Sequence, residues 1–571
     1  MSSKDDNLMI NNQNQGKSSG VAYLLALPAV FLLFIYKIVP ALTGLTLPFR
    51  EYSPMKGMGG STWVGMRNFK ELFSSFVFSK ILGNTLILKI QYILLCSILA
   101  FLLLLVLGFI KSKFWQRLFS SIFLLPYFIP TVVFSYLMLY AMGNAGMYFI
   151  FSTETLMDPE SFRLIYISLE IIKTIGIPLI MGLGAISAKR DLDDGTGSFL
   201  HIQLLPILKA LGLFALIQLS AVLTMDYELL TSFQNPLVYE VADTIDTHAF
   251  RTGLMNMNFG TAGAVNMIKY FLQIVLSILI YFLIKKYFVE DNFPVKVKRE
   301  KGSKRRYSPL AVVAGLFIVE IYLILTTAPL LVSVVETFKS SSGVTSTFND
   351  ILQGLPFYDS FMAYLTAIAF AVVVNSIITL LLAYPLTVKE LPGKSIYAVF
   401  LILVLNLGMG SIHEYLFFTK MNMINTIWPY VITGFFTLVN VFVLKAIFNG
   451  RYNSQEERTV KGIEGDAESF FKRFIPRIWK PLLGLSALQY AFMWNSIYPG
   501  QLMYLNDASR FSPVMMFRMI TQGNQGQELN PALILGIIKL GAIVSIPGII
   551  ILLLLMIFGG HEVFIGQNRR L

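Results

Sequence analysis

Four histidines (His201, His248, His413 and His561) and one cysteine, Cys96, are the chain's main candidates for metal binding or nucleophilic chemistry. The histidines are scattered, with no metal-ligand spacing, and a lone thiol can make neither a disulfide framework nor a cysteine cluster. No catalytic residue and no metal site is expected. A phosphate-cradling loop needs Gly, four residues, then Gly-Lys-Ser or Gly-Lys-Thr. Gly16-Lys17-Ser18 and Gly393-Lys394-Ser395 carry only the tail of that pattern, because Asn11 and Val388 stand where the first glycine belongs. The chain is expected to bind no nucleotide itself.

What does recur is a charged island with a fixed layout. Gln455 to Ile463 lies in a polar stretch that carries five carboxylates and four basic side chains between Arg451 and Lys472, then reaches Ile475-Pro476. Lys189-Arg190-Asp191-Leu192-Asp193-Asp194-Gly195 has the same layout and is followed by Leu205-Pro206. Each island runs from charge to glycine and, after a dozen or so residues, to an apolar-Pro step that opens a hydrophobic run. Early carboxylates suit a helix N-terminus and can pair with basic groups on a partner. Gly195 and Gly462 permit a sharp bend. The plain alternative is an ordinary charged loop with turn glycines; two islands at matching places favour a docking handle.

The elements that must position these islands follow from composition. The chain has 571 residues, is 55% hydrophobic and only 14% charged, and has a mean hydropathy of +0.66. A soluble domain is nearer one quarter charged, so the solvent is a lipid bilayer. The net charge of +12 lies largely in short segments beside apolar runs. That is the signature of positive-inside topology, not of nucleic-acid binding. Met1 to Ser19 is polar and expected to be disordered. Apolar runs follow at about 20–49, 84–110, 116–142, 163–187, 203–225 and 263–288, and again near 309–336, 370–388, 395–418, 425–449, 474–503 and 533–558. Each is near or above the roughly 20 residues that cross a bilayer. The expected fold is an all-α polytopic membrane protein of about twelve transmembrane helices in two parallel six-helix repeats. The first run is too long for a signal peptide and is read as an anchor.

Lys111, Lys113, Arg117 and the basic run from Lys285 to Arg306 place those loops in the cytoplasm, and the acidic loop from Asp226 to Ala262 outside. Both termini and both islands then fall on the cytoplasmic side. The boundaries read as a tail at 1–19, a first domain at 20–288, a basic linker at 289–308 and a second domain at 309–571. Charge is scarce inside the spans. Glu320 is an isolated acid within the seventh, and His413-Glu414 reads as an outer-surface pair near a span end.

Val64-Gly65-Met66-Arg67-Asn68-Phe69, Asn84-Thr85-Leu86 and Leu124-Leu125-Pro126-Tyr127-Phe128-Ile129-Pro130 in the first half, with Asn375-Ser376, Ile424 to Trp428 and Trp494-Asn495 in the second, carry a family resemblance. The chain resembles the membrane subunits of binding-protein-dependent ABC importers of the carbohydrate type, as in maltose and glycerol-phosphate uptake, with two permeases fused end to end. The resemblance covers nearly everything beyond the N-terminal tail and implies the type I importer fold. The family's cytoplasmic motif runs Glu-Ala-Ala, three residues, Gly, then Leu-Pro. Glu456, Gly462 and Pro476 take its anchor positions in the second half, and Gly195 and Pro206 in the first. The letters depart elsewhere: Lys189 replaces the Glu, Glu457 and Arg458 replace the alanines, and Lys461 replaces the Asp that Asp194 keeps. The Gly-to-Pro spacing is 11 in one half and 14 in the other.

The resemblance implies an ATPase-coupling role for Asp191, Asp194, Gly195, Pro206, Glu456, Glu457, Gly462 and Pro476. It implies no cofactor in this chain, with ATP and Mg held by two partner ATP-binding subunits or domains. It further implies an extracellular substrate-binding protein, a carbohydrate substrate, and a place in the cytoplasmic membrane of a bacterium. The substrate path should run near the midplane between the halves. Gln218, Thr224 and Asp226 are candidates from the fifth span and Gln489 and Asn495 from the eleventh, with Trp494 and Tyr498 beside them. The alternative is that these polar groups bond neighbouring helices. A twelve-helix secondary transporter driven by an ion gradient is the competing function; the paired islands and the scarcity of buried charge speak against it. A membrane enzyme of glycan assembly would want a carboxylate constellation that the sequence does not offer.

Overall fold

In the computed structural model, residues 20–558 are described apart from 75, 111, 145–153, 193–197, 288–308, 340–351, 353–354, 389–390, 408–410, 453–464, 497–509 and 524–530. Among the described residues, seven helices are long and apolar enough to cross a membrane, and two bent helix pairs bring the number to nine. Numbered by the places the hydropathy predicts, the seven are span 1 (Gly20–Phe49), span 2 (Phe76–Leu107), span 5 (Leu200–Ser220), span 6 (Phe259–Ile284), span 8 (Phe357–Thr387), span 10 (Trp428–Phe448) and span 12 (Leu533–Ile557). The bent pairs are span 3 (Phe114–Phe128 with Thr131–Met142, 92°) and span 4 (Pro159–Thr174 with Gly176–Ser187, 47°). Helices Pro309–Lys339 (span 7), Lys394–Asn406 followed by Ser411–Lys420 (span 9), and Ile475–Asn495 (span 11) stand at the remaining places. Span 11 opens with Arg477 and Lys480, so only its later turns are strongly apolar.

Proline shapes these helices locally. A proline has no N–H, and its ring collides with the carbonyl four residues back. Three apolar-Pro steps, Val39-Pro40, Leu205-Pro206 and Ile475-Pro476, are each preceded by a five-residue π turn. In each the N–H just before the proline reaches a carbonyl five residues back: Val39 to Phe34, Leu205 to Leu200, Ile475 to Phe470. The wider turn moves the colliding carbonyl aside. The two steps that follow the charged islands therefore share one local structure. In span 3, Ile129 is extended and Pro130 follows it, which breaks the helix.

The two halves are interwoven. Ala22, Ala29 and Leu33 of span 1 lie in one core with residues of spans 8 to 11. Reciprocally, Ala311, Val312, Val319 and Tyr322 of span 7 lie in the core of spans 2 to 5. The bend of span 3 sends Val132, Val133 and Leu137 into the core formed by spans 8, 10, 11 and 12. A fourth cluster joins Leu124, Phe128 and Ile180 to Ala491, Ile551 and Leu552 across the halves. Burial of apolar side chains does not drive helix association inside lipid, so close fit and polar contacts must do so. Gly548 shows the fit: a Cβ there would strike the carbonyl of Phe128.

Outside the spans, residues 221–258 fold into short helices over the ends of spans 2 and 4. Asn84 donates from Nδ2 to the carbonyls of Glu240 (3.0 Å) and Asp243 (3.2 Å), while Arg163 donates to its Oδ1 (2.7 Å). In the second half Asn375 donates to the carbonyl of Phe435 (2.9 Å), where span 10 is broken. Asn84 and Asn375, which open corresponding stretches of the two halves, thus both bond irregular backbone.

Candidate translocation path

The bend of span 3 is one place where the two halves meet in polar contact. Lys173 of span 4 donates to the Thr131 hydroxyl just past the bend and, at 2.8 Å, to Asp226 Oδ2. Asp226 follows span 5 and is the N-cap of the helix Tyr227–Phe233, accepting from the Leu229 N–H at 3.0 Å. From the second half, Asn495 ends span 11 and donates to the Phe128 carbonyl at 3.1 Å, on the other side of the bend. Its Oδ1 is buried and has no partner among the described residues. Ser496 then donates to Glu228 at 3.3 Å. The C-terminal ends of spans 5 and 11, at matching places in the repeat, therefore flank one bend, the first through Lys173 and the second directly.

Behind this junction lies a group of buried charges. Lys89 and Lys173 of spans 2 and 4 and Glu170 of span 4 are buried, and Asp226 completes a quartet of two cations and two carboxylates. Lys89 Nζ stands 5.2 Å from the Tyr92 ring centroid. Glu170 lies within electrostatic reach of Lys89, Lys173 and Asp226, with Tyr166 beside it. Tyr92 shares a 2.9 Å hydrogen bond with Thr174. The quartet is formally neutral, which lets it persist where a single charge would not.

This corrects the expectation that charge is scarce inside the spans. Lys89, Glu170 and Lys173 were visible as charges in apolar stretches, and Glu170 and Lys173 stand three apart, on one helical face. Averaging over a span hides them; only the fold brings Asp226 to Lys173. The His413-Glu414 expectation also changes. Glu414 is in the helix Ser411–Lys420, partly buried, and pairs at 3.1 Å with Lys37 of span 1. It is an interhelical tie, not an outer-surface loop group. The His413 side chain lies outside the described residues.

Of the predicted path residues, Asp226 and Asn495 come together at the bend and the others do not. Thr224 faces Gln273 of span 6 at 3.5 Å. Gln489 is buried and donates to the Gly434 carbonyl at 3.4 Å, inside the second half. Gln218 is half-buried near the end of span 5. Trp494 is fully buried and donates to the Val544 carbonyl at 2.8 Å, so it is core and not a sugar platform. Tyr498 lies outside the described residues.

Of the predicted coupling residues, Pro206 and Pro476 stand in the first turn of the α-helices Leu205–Ser220 and Ile475–Asn495, just after the π turns. Asp191 is in the last turn of the helix Gly176–Leu192, its side chain outside the described residues. Asp194, Gly195, Glu456, Glu457 and Gly462 also lie outside them.

No family model matches the chain. A Bacillus subtilis protein named polygalacturonan/rhamnogalacturonan transport system permease protein YteP is 27% identical over 282 residues, 46% of this chain and 88% of its own. Protein LplB of the same organism is 26% identical over 48% of this chain and 90% of its own. Among solved structures, a bacterial ABC transporter involved in the import of the acidic polysaccharide alginate is 26% identical, with a TM-score of 0.40, over 48% of this chain and 97% of that one. Nearly complete relatives match about half of this polypeptide, so the chain is a multi-pass membrane protein similar to saccharide transport system permeases and about two of them in length.

Proposed function

We propose that the path between the two halves carries an oligosaccharide of the polygalacturonan or rhamnogalacturonan type into the cell. An extracellular binding protein delivers it, and ATP hydrolysis in two partner subunits drives the step. The supporting observation is the convergence of Asp226 and Asn495, from equivalent spans of different halves, on the bend of span 3. A rotation that separates the halves must break the Asn495 to Phe128 contact, so this junction is placed to act as the outer gate. The substrate class comes from the names of two relatives. Both termini and both islands are cytoplasmic in this reading, and the islands are the coupling elements. The π turns ahead of Pro206 and Pro476 lie between each island and a gate-forming span. The catalytic ATPase machinery belongs to the partners.

A secondary transporter has one observation in its favour, the buried quartet, since intramembrane charges also build proton relays. One experiment separates the two. Gly195→Pro with Gly462→Pro is compared with wild type for co-purification of an ATPase from host membranes, and for saccharide uptake with and without an ionophore. The importer reading expects an ATPase at two copies with wild type only, and uptake that survives the ionophore. A well-folded wild-type protein that never brings down an ATPase, with ionophore-sensitive uptake, sinks it.

A further inference from the structure

Span 7 carries a carboxyl group on its outward face. The buried side of this helix is set by Ala311, Val312, Val319 and Tyr322, which join the first-half core, and by Gly315, where a Cβ would stand 2.7 Å from the Phe119 ring. The opposite side is exposed along Leu310 (82%), Val313 (64%), Phe317 (63%), Ile321 (44%) and Ile324 (56%). Glu320 lies in this exposed stripe. It makes no hydrogen bond or ion pair among the described residues. Eleven residues at about 1.5 Å each put it roughly 16 Å from Pro309, near the middle of a hydrocarbon layer of about 30 Å. A side chain with one terminal group cannot reach either interface from there.

Several other charges within spans have a charged partner, Lys37 in Glu414, Lys173 in Asp226 and Lys269 in Asp246, and Lys445 donates to the Tyr281 hydroxyl at 3.2 Å. Tyr322, two residues on, is turned inward and donates to the Ile172 carbonyl at 2.8 Å. Glu320 faces away from that whole polar interior. Lipid offers a carboxyl group nothing at this depth, and intramembrane acids are held by partners. We propose that the outward face of span 7 is the seat of a partner transmembrane helix carrying a lysine or arginine at the depth of Glu320. Charge complementarity selects the partner: the stripe is otherwise aliphatic and aromatic, so one cation on an apolar helix matches it.

The test uses the full chain in liposomes. Cys96 is buried, so Phe114→Cys, exposed at the start of span 3 and away from the stripe, provides a single accessible site for a donor dye. The probe is a Leu-rich helix of about 20 residues with one central Lys and an acceptor dye, and an all-Leu helix is its control. The Lys helix should bind at least about tenfold more tightly than the all-Leu helix, and Glu320→Leu should remove that difference. Glu320→Leu should leave the unfolding temperature nearly unchanged, because the side chain is exposed and makes no hydrogen bond or ion pair among the described residues. Equal binding of the two helices, or binding unaffected by Glu320→Leu, overturns the proposal. So does energy transfer between donor- and acceptor-labelled copies of the chain without peptide, which would make a second copy the occupant.

Discussion

Lys173 holds together three parts of the molecule that the chain separates widely: span 4, the segment after span 5 and the far side of the bend in span 3. Replacing it with methionine removes the cation and leaves Asp226 facing Glu170 without its partner. Breaking one side of such a buried pair costs about 3 kcal/mol. Lys173→Met should therefore lower stability by about that amount in detergent unfolding, whereas Lys173→Met with Asp226→Asn should recover more than half of it. Asparagine still caps the helix that Asp226 starts, so the double variant isolates the charge. Equal stability of the single and double variants would show that the pair is not coupled.

A second residue-scale device sits in the short helices of residues 221–258. Asp243 is buried, accepts from Thr247 at 2.8 Å, and is bound by Arg251 and His248. Burial alone would raise its carboxyl, but the hydrogen bonds from His248 and Arg251 outweigh that and hold it below the usual range. A lowered folded-state value means the stabilisation is complete above the unfolded value, about pH 4, and is lost as pH falls through the folded one. Acidification below about pH 4 should loosen residues 221–258 first, read by hydrogen exchange. Asp243→Asn should be less stable at neutral pH and should lose less on acidification.

At the scale of elements, helix packing depends on small residues where backbones approach. Gly548 of span 12 leaves no room for a Cβ against Phe128, and at Gly176 a Cβ would lie 2.5 Å from the Phe123 carbonyl. A backbone carbonyl cannot rotate away as a side chain can. Gly548→Ala should cost about 1–3 kcal/mol and shift the bend of span 3, seen as altered cross-linking between positions 127 and 495. Gly59→Ala, with nothing within 4 Å of its Cβ, should be neutral and serves as the control.

The whole molecule is two repeats that exchange their first spans. Separate expression of residues 1–296 and 297–571 should give two fragments that are unstable alone. Each then lacks the partner core that its first span needs, span 1 among spans 8 to 11 and span 7 among spans 2 to 5. Co-expressed, they should co-purify as a stoichiometric pair in detergent. Two fragments that fold and run as independent monomers would contradict the interwoven core.

Much of this architecture was written in the sequence. A bilayer forces each crossing segment to be long, apolar and internally hydrogen-bonded, so hydropathy located a helix or bent pair at each expected place. The repeated Asn84 and Asn375, and the repeated Leu205-Pro206 and Ile475-Pro476 steps, were legible because they recur in register. The π turns before those prolines relieve the clash of the ring with the carbonyl four residues back, but Pro126, Pro385, Pro481 and Pro547 lie in α-helices without one, so the proline alone does not dictate them. Other features depended on which helices become neighbours. Hydropathy says that a helix is buried in something apolar, and lipid and protein interior look alike to it. Thus the exchange of spans 1 and 7, the meeting of Lys173 with Asp226 across 53 residues, and the outward aim of Glu320 were decided by tertiary structure alone. Asp226 and Asn495 stood in the sequence as two polar candidates among several; the bend of span 3 is what joins them in one site.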